Sequence, residues 1–282
     1  KSFNEGDFSG AEQFKKEFGV EYRDFEPQTD AQREQALRRF ARDGYSPIVA
    51  VGFSQATALE KVAKEFPNLK FAIIDAKVDA PNVQSILFQE HEGSFLVGLL
   101  AALASKTDKV GFVGGMDIPL IRKFACGYVQ GVKHANKGTE VFQNMTGTTG
   151  AAWNDPVKGA ELARSQIDRG ADVIYHAAGG TGIGVLRAAA DAGKLGIGVD
   201  SNQNGLHPGK VLTSMLKRVD VATYNTFKEV RDNAWKSGVL VLGLKEDGVG
   251  GALDEHNQAL ITPEMKAAAD KATAEIKAGT IK

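Results

Sequence analysis

The stretch ADVIYHAAGGTGIGVLRAAADAGKLGIGVD, residues 171–200, decides the fold class. ADVIYHA is a near-continuous apolar run of strand length, GIGVLRAAADAG repeats its apolar residues at helical spacing, and KLGIGVD is a second apolar run. Two strands without polar alternation, joined by a helix, predict neighbouring strands of a parallel sheet covered on both faces. The turn between strand and helix, AAGGTG, places five small residues and one threonine where a backbone can approach a ligand closely.

The same alternation extends in both directions. Upstream lie KVGFVGG (109–115), PLIRKFACGYVQGVKHA (119–135), TEVFQNM (139–145) and DPVKGAELARSQIDRG (155–170), read as strand, helix, strand and helix. Before Lys106 a first series runs through a helix over 5–18, a strand over VEYRDFEP (20–27), a helix over 29–45 and the strand PIVAVG (47–52). It continues with a helix over 56–68, strands LKFAIIDA (69–76) and NVQSILF (82–88), and a helix over EGSFLVGLLAALASK (92–106). Downstream, KVLTSMLKR reads as a short strand, 219–238 as a helix followed by VLVLGLKEDGVGG, and ITPEMKAAADKATAEIKAG as a terminal helix. Alternation of this kind predicts an α/β protein of two doubly wound parallel-sheet domains. The expected boundaries are 1–106 plus about 215–242 for the first domain and 107–214 plus about 243–260 for the second, with 261–282 as a helix of open assignment. The first series opens on a helix with no strand before it, and Lys1-Ser2-Phe3-Asn4 lacks an initiator Met, so the expectation is a processed or trimmed chain whose opening strand is missing.

Composition narrows the function classes. Lys plus Arg number 34 against 35 Asp plus Glu, a net charge of −1 without long blocks of either sign, which disfavours nonspecific nucleic-acid binding. The single cysteine, Cys126, excludes an intrachain disulfide and a thiolate zinc cluster, and its surroundings predict a small buried hydrophobe. FLVGLLAALA is half of the roughly 20 apolar residues of a membrane span and reads as a buried helix. Histidines at 91, 134, 176, 207 and 256 show no metal-ligand spacing, no serine has a G-x-S-x-G setting, and no nucleophile–base–acid set stands out. Neither a metal, nor a cofactor, nor a catalytic residue is expected.

Open parallel sheets bind ligands outside the carboxyl ends of their strands. The residues expected there include Asp75, Asp200 and the Gly179-Gly180-Thr181-Gly182 turn. Each aspartate either caps the following turn or accepts hydrogen bonds from a ligand. Trp153, in GTTGAAWNDP, either packs the entry of the next helix or stacks on a flat ligand, and Phe3 is a second loop aromatic. Lys217 reaches either an anionic or hydroxyl group or a surface partner, and His91 and His176 either pack or face the cleft. The glycine turn comes near a dinucleotide fingerprint, because Gly180 and Gly182 match its first two positions and Asp200 follows at the right distance. Val185 occupies the third position, however, and the turn follows the third strand of its series. No G-K-[ST] follows either, so nicotinamide and nucleoside-triphosphate readings are disfavoured.

Seven segments together carry a resemblance: KSFN (1–4), IIDA (73–76), EGSFLVG (92–98), GFVGGMD (111–117), AAGGTGIGV (177–185), IGVD (197–200) and TSMLKR (213–218). In this order, over essentially the whole chain, they resemble the basic membrane protein family of ABC-transporter substrate-binding proteins, whose best-understood members are purine nucleoside receptors. The resemblance implies a type I periplasmic-binding fold, two domains joined by a hinge and closing on a ligand without transforming it. It further implies a monomer in the periplasm or cell envelope, in many bacteria lipid-anchored, delivering a nucleoside to a membrane permease. By the family pattern Phe3 and Trp153 stack on the base, and Asn4, Asp75, His91, Gly179, Gly180, Thr181, Gly182, Asp200 and Lys217 are polar or backbone contacts. The sequence departs from that pattern at His91, where an asparagine is usual, and at Trp153, where a phenylalanine is usual. The alternatives are a sugar or autoinducer-like receptor of the same fold and, further off, a nucleoside-processing or NAD-dependent enzyme.

Overall fold

A computed structural model describes residues 2–282, Ser2 by its backbone only. In chain order the elements are α1 (Ser2–Phe18), α2 (Asp30–Arg42), β1 (Ile48–Val51), α3 (Ala56–Glu65), β2 (Phe71–Ile74), β3 (Val83–Phe88) and α4 (Glu90–Ala104). There follow β4 (Lys109–Met116), α5 (Pro119–Ala135), β5 (Glu140–Gly147), α6 (Pro156–Asp168), β6 (Val173–Ala177), α7 (Gly182–Asp191) and β7 (Leu195–Asp200). The last are β8 (Val211–Lys217), α8 (Val219–Arg231), β9 (Gly238–Leu242), β10 (Val249–Gly251) and α9 (Pro263–Lys277).

The chain divides into two units. The larger comprises the residues up to Phe3, Gln89–Lys217 and Gly243–Lys282; the smaller comprises Asn4–Phe88 and Arg218–Leu242. The chain therefore passes between them at 3/4, 88/89, 217/218 and 242/243. This differs from the boundary expected at residue 106, because α4 belongs to the larger unit. The cause is close helix packing: a Cβ on Gly98 would lie 2.2 Å from the Tyr128 carbonyl oxygen, and one on Gly131 would lie 1.9 Å from that of Phe95. Small residues let the backbones of α4 and α5 touch, so α4 is held by the larger unit's own helix. The terminal helix α9 also falls in the larger unit.

Among the described residues, the smaller unit has a four-stranded sheet in the order β1-β2-β3-β9, all parallel. Its core joins Leu37 and Ala41 of α2 and Leu59 and Val62 of α3 to Phe71, Ile73 and Val83 of the sheet. The VEYRDFEP segment is not a strand: it runs as irregular chain, and Val20 and Phe25 are exposed. Apolar alternation makes a strand only where a ladder partner exists, and none of the described strands pairs with 20–27.

The larger unit holds a six-stranded sheet, β10-β8-β7-β6-β4-β5. Neighbours from β8 to β5 are parallel, and β10 is a short antiparallel edge strand. VLVLGLKEDGVGG is thus divided, its first part joining the smaller sheet as β9 and its last the larger as β10. Val113, Phe142, Ala160, Ala163, Ile174 and Val185 form a core between this sheet, α6 and α7. Cys126, expected to be buried, is exposed: the face of α5 that meets α4 is filled by Gly127 and Gly131, which turns Cys126 outward. Among the described residues no helix is long and apolar enough to cross a membrane.

Candidate functional site

In the larger unit, strand order reverses beside β4. The chain goes from β4 outward to β5, then returns across β4 to β6, β7 and β8. Such a switch point leaves a crevice at the carboxyl ends of the strands. Across that rim stand Lys217 at the end of β8, Asp200 at the end of β7, the glycine turn after β6, Gly115 near the end of β4 and Trp153 after β5.

Trp153 ends a helical turn over Gly150–Trp153 and lies on two glycines at the switch point. A Cβ on Gly115 would stand 2.3 Å from its Cζ3, and one on Gly179 would stand 3.7 Å from its Cε3. The indole is half-buried, not enclosed as a helix staple would be. Asp155 caps α6 by accepting from the Lys158 amide at 2.9 Å. Thr181 joins this loop to the glycine turn. Its hydroxyl donates to the Ala152 carbonyl at 2.7 Å and accepts from the Asp155 amide at 2.8 Å, and the residue is fully buried. The Thr181 side chain is therefore committed within the protein, which places the sequence expectation of a ligand contact on the turn's backbone instead.

The glycine turn is a short helical turn over Gly179–Thr181 that runs into α7 at Gly182, with Gly179 at φ +56°. Gly182 answers a packing demand. A Cβ there would fall 1.9 Å from Nδ1 of His176, a fully buried ring whose Nε2 meets Gln203 Oε1 at 2.8 Å. That oxygen also accepts from the Val199 amide at 3.0 Å, so the shared hydrogen of the His176 contact belongs to the imidazole and fixes the Nε2–H tautomer. Burial holds His176 down to about 4, outweighing the bond to Gln203, so the ring is neutral at ordinary pH. His176 packs behind the turn and does not line it.

Asp75 and Asp200 share an unusual backbone. Both end a parallel strand, both are half-buried, and both adopt left-handed φ, +70° and +68°. Left-handed non-glycine residues are uncommon and concentrate at functional turns, aspartate tolerating them better than most. Asp75, in the smaller unit, is fixed by its amide donating to Ile86 at 3.0 Å. Asn4, by contrast, is exposed and donates Nδ2 to Glu26 at 2.9 Å.

Lys217 was expected at a ligand or at the surface; it is buried, with its Nζ 3.1 Å from Glu90 Oε1. The same ammonium lies 5.1 Å from the Phe3 ring centre and 5.6 Å from that of Phe124. His91 is half-buried on the first turn of α4, its carbonyl packed where a Cβ on Gly127 would come within 2.2 Å. Glu90 is the residue that sequence reasoning missed. Its role was hidden, because a glutamate opening an apolar helix is easily taken for a dipole partner while its partner on the facing helix, Lys123, is remote in sequence.

Asp254, Glu255 and His256 bring ligand atoms within 4.8 Å of one another, as a metal would require. The Asp254 carboxylate is already engaged by Nδ2 of Asn202 at 2.6 Å, Nδ2 of Asn204 at 3.0 Å and the His256 amide at 2.7 Å, so the group reads as a loop anchor.

A family model for PnrA-like ABC-transporter substrate-binding proteins matches residues 1–281. The chain belongs to this family. A Pyrococcus horikoshii protein described as an uncharacterised lipoprotein is 38% identical over 265 residues, covering 88% of this chain and 64% of that protein. The chain spans 64–66% of the length of the three Pyrococcus lipoproteins it matches. The ABC transporter nucleoside-binding protein BmpA of Lactococcus lactis is 32% identical over 304 residues, covering 100% of this chain and 84% of that protein. Among solved structures, an ABC-transporter solute-binding protein of Aeropyrum pernix K1 superposes with a TM-score of 0.89 at 31% identity, over 99% of this chain and 88% of that one. The two α/β units are those of a type I periplasmic-binding protein, and the family is one of non-catalytic solute carriers, not enzymes.

Proposed function

We propose that this protein is the substrate-binding component of an ABC transporter, that its ligand is a nucleoside, with a purine base preferred, and that it delivers this ligand to a membrane permease. The observation that carries the reading is Trp153, a half-buried indole laid over Gly115 and Gly179 at the switch point of the larger sheet. A flat apolar surface there, beside the backbone of the Gly179–Thr181 turn, suits a ligand with an aromatic face and polar edges. Asp200 serves as an acceptor for ribose hydroxyls or base N–H groups, and Phe3 supplies a second ring. The likeness to a nucleoside-binding protein of Lactococcus lactis supports the ligand class. The likeness to Pyrococcus lipoproteins supports a place in the cell envelope, held by a lipid anchor. Binding of a solute without turnover needs no metal or cofactor.

The test is isothermal titration of protein unfolded, dialysed free of ligand and refolded, with adenosine, guanosine, inosine and uridine in turn. Saturable one-to-one binding, strongest for a purine nucleoside, is the expected result. Silence toward all four, or binding of a free sugar instead, refutes the assignment.

A further inference from the structure

We propose that Glu90 is the positioning residue of this site, its buried carboxylate setting where Lys217 and the Phe3 ring stand at the β8 end of the rim. The proposal rests on the nucleoside-receptor reading. Glu90 opens α4 with its side chain wholly buried. Its Oε1 lies 3.1 Å from Lys217 Nζ and its Oε2 accepts from Lys123 Nζ at 2.6 Å. Lys123 reaches Glu90 because Gly127 lets α5 lie against the His91 carbonyl, and its neighbour Phe124 stands 5.6 Å from Lys217 Nζ. Burial acts to raise the Glu90 carboxyl, and the ammonium groups of Lys217 and Lys123 outweigh it, so it stays below the usual carboxylate range.

A glutamate that served only the helix dipole would do so from the surface, and an apolar side chain would pack an apolar helix at lower desolvation cost. What the carboxylate supplies is a fixed point. Lys217 is the last residue of the larger unit before the chain leaves it at 217/218, Phe3 the last before 3/4, and Glu90 follows the return at 88/89. The fourth passage is held from the same helical turn: the Leu244 amide donates to Glu92 Oε2 at 2.7 Å. One turn of α4 thus anchors the larger unit's end of all four passages, and Glu90 does so through Lys217, whose ammonium stands 5.1 Å from the Phe3 ring centre.

The experiment is Glu90→Gln and Glu90→Asp in the full chain, read in two ways. Lysine-selective NMR follows the ε-methylene protons of Lys217, whose ammonium lies over the Phe3 and Phe124 rings and which an upfield ring-current shift should mark, and titration gives adenosine affinity. The expected result for Glu90→Gln is loss of that ring-current shift and at least a tenfold loss of affinity in protein that still unfolds cooperatively. Glu90→Asp, which keeps the charge and withdraws it by one methylene, falls between. An unmoved Lys217 signal overturns the proposal, and so does a moved signal with affinity within twofold of the parent. If the parent protein binds no nucleoside, the ligand assignment fails, and the Lys217 signal still decides whether Glu90 positions that ammonium.

Discussion

Substituting Gly115 by alanine tests the seat of Trp153 with a single methyl group. The new Cβ would stand 2.3 Å from Cζ3 and 2.6 Å from Cε3 of the indole. Ordinary carbon contact begins at about 3.5 Å, so the ring or strand must give by roughly 1 Å. Overpacking of this kind costs about 1–3 kcal/mol. Since the indole is half-buried and β4 is pinned on both sides by β5 and β6, the ring moves and the strand stays. A displacement of roughly 1 Å in a stacking surface lowers ligand affinity by about ten- to a hundredfold. Trp153→Phe removes Cζ3 and hence the clash. Gly115→Ala should therefore cost much less affinity and stability in a Trp153→Phe background than alone, with a coupling of about 1–2 kcal/mol in a double-mutant cycle. Calorimetric titration with the best nucleoside and urea denaturation of the four proteins supply the cycle. Additive effects, or full affinity in Gly115→Ala alone, would show that the ligand does not depend on Trp153 at this seat.

Other consequences follow from the buried polar groups. Thr181→Val strands the Asp155 amide and leaves the Ala152 carbonyl only the longer bond from the Thr146 hydroxyl, so urea unfolding should show a loss of about 1–3 kcal/mol, and nucleoside affinity should fall with it. His176 is held near 4 in the fold against an ordinary value of 6.5. Its neutral form is favoured in the native state, so its contribution is complete above about 6.5 and disappears as pH falls toward 4, up to about 3 kcal/mol in all. His176→Asn should flatten the stability profile over that interval. Asp7 has the opposite sign, since burial raises it to about 6 against 3.8 despite the 2.6 Å bond from the Thr223 hydroxyl. Its protonated form is favoured in the fold, and stability is lost as pH rises from about 3.8 through 6. Asp7→Asn should therefore stabilise the protein by up to about 3 kcal/mol at pH 8 and by nothing near pH 3, as chemical denaturation at the two pH values would show.

The elements that were legible in the sequence are those whose periodicity reports burial in a sheet covered on both sides. β4, β6 and β7 are buried along nearly their whole length, and KVGFVGG, ADVIYHA and KLGIGVD locate all three. The 20–27 segment shows where periodicity stops being sufficient: alternation records a capacity for pairing, and a ladder needs a second strand. The placement of α4 was hidden for a different reason. A helix that is apolar all round declares burial without declaring a partner, and the partner here was chosen by Gly98, Gly127 and Gly131.

At the site, strand-end position alone singled out Asp75, Asp200 and the glycine turn, and Trp153 was found because a large aromatic in a loop is unusual. What sequence did not separate is the rim from its support. Gly182 and Thr181 sit in the same motif as Gly179, yet one accommodates His176 and the other ties the Trp153 loop, both relations spanning residues distant in the chain or facing inward. Lys217 and Glu90 lie at opposite ends of unrelated motifs, and only the meeting of β8 with α4 shows them as a pair.

The most direct measurement is an electron-density map of the protein crystallised with its tightest-binding nucleoside. The expected map shows a planar base against the Trp153 indole, the Gly179–Gly182 backbone running alongside, Asp200 accepting from the ligand, and an intact glycosidic bond. A nucleoside bound away from Trp153 and the glycine turn, or cleaved into base and sugar, would contradict it.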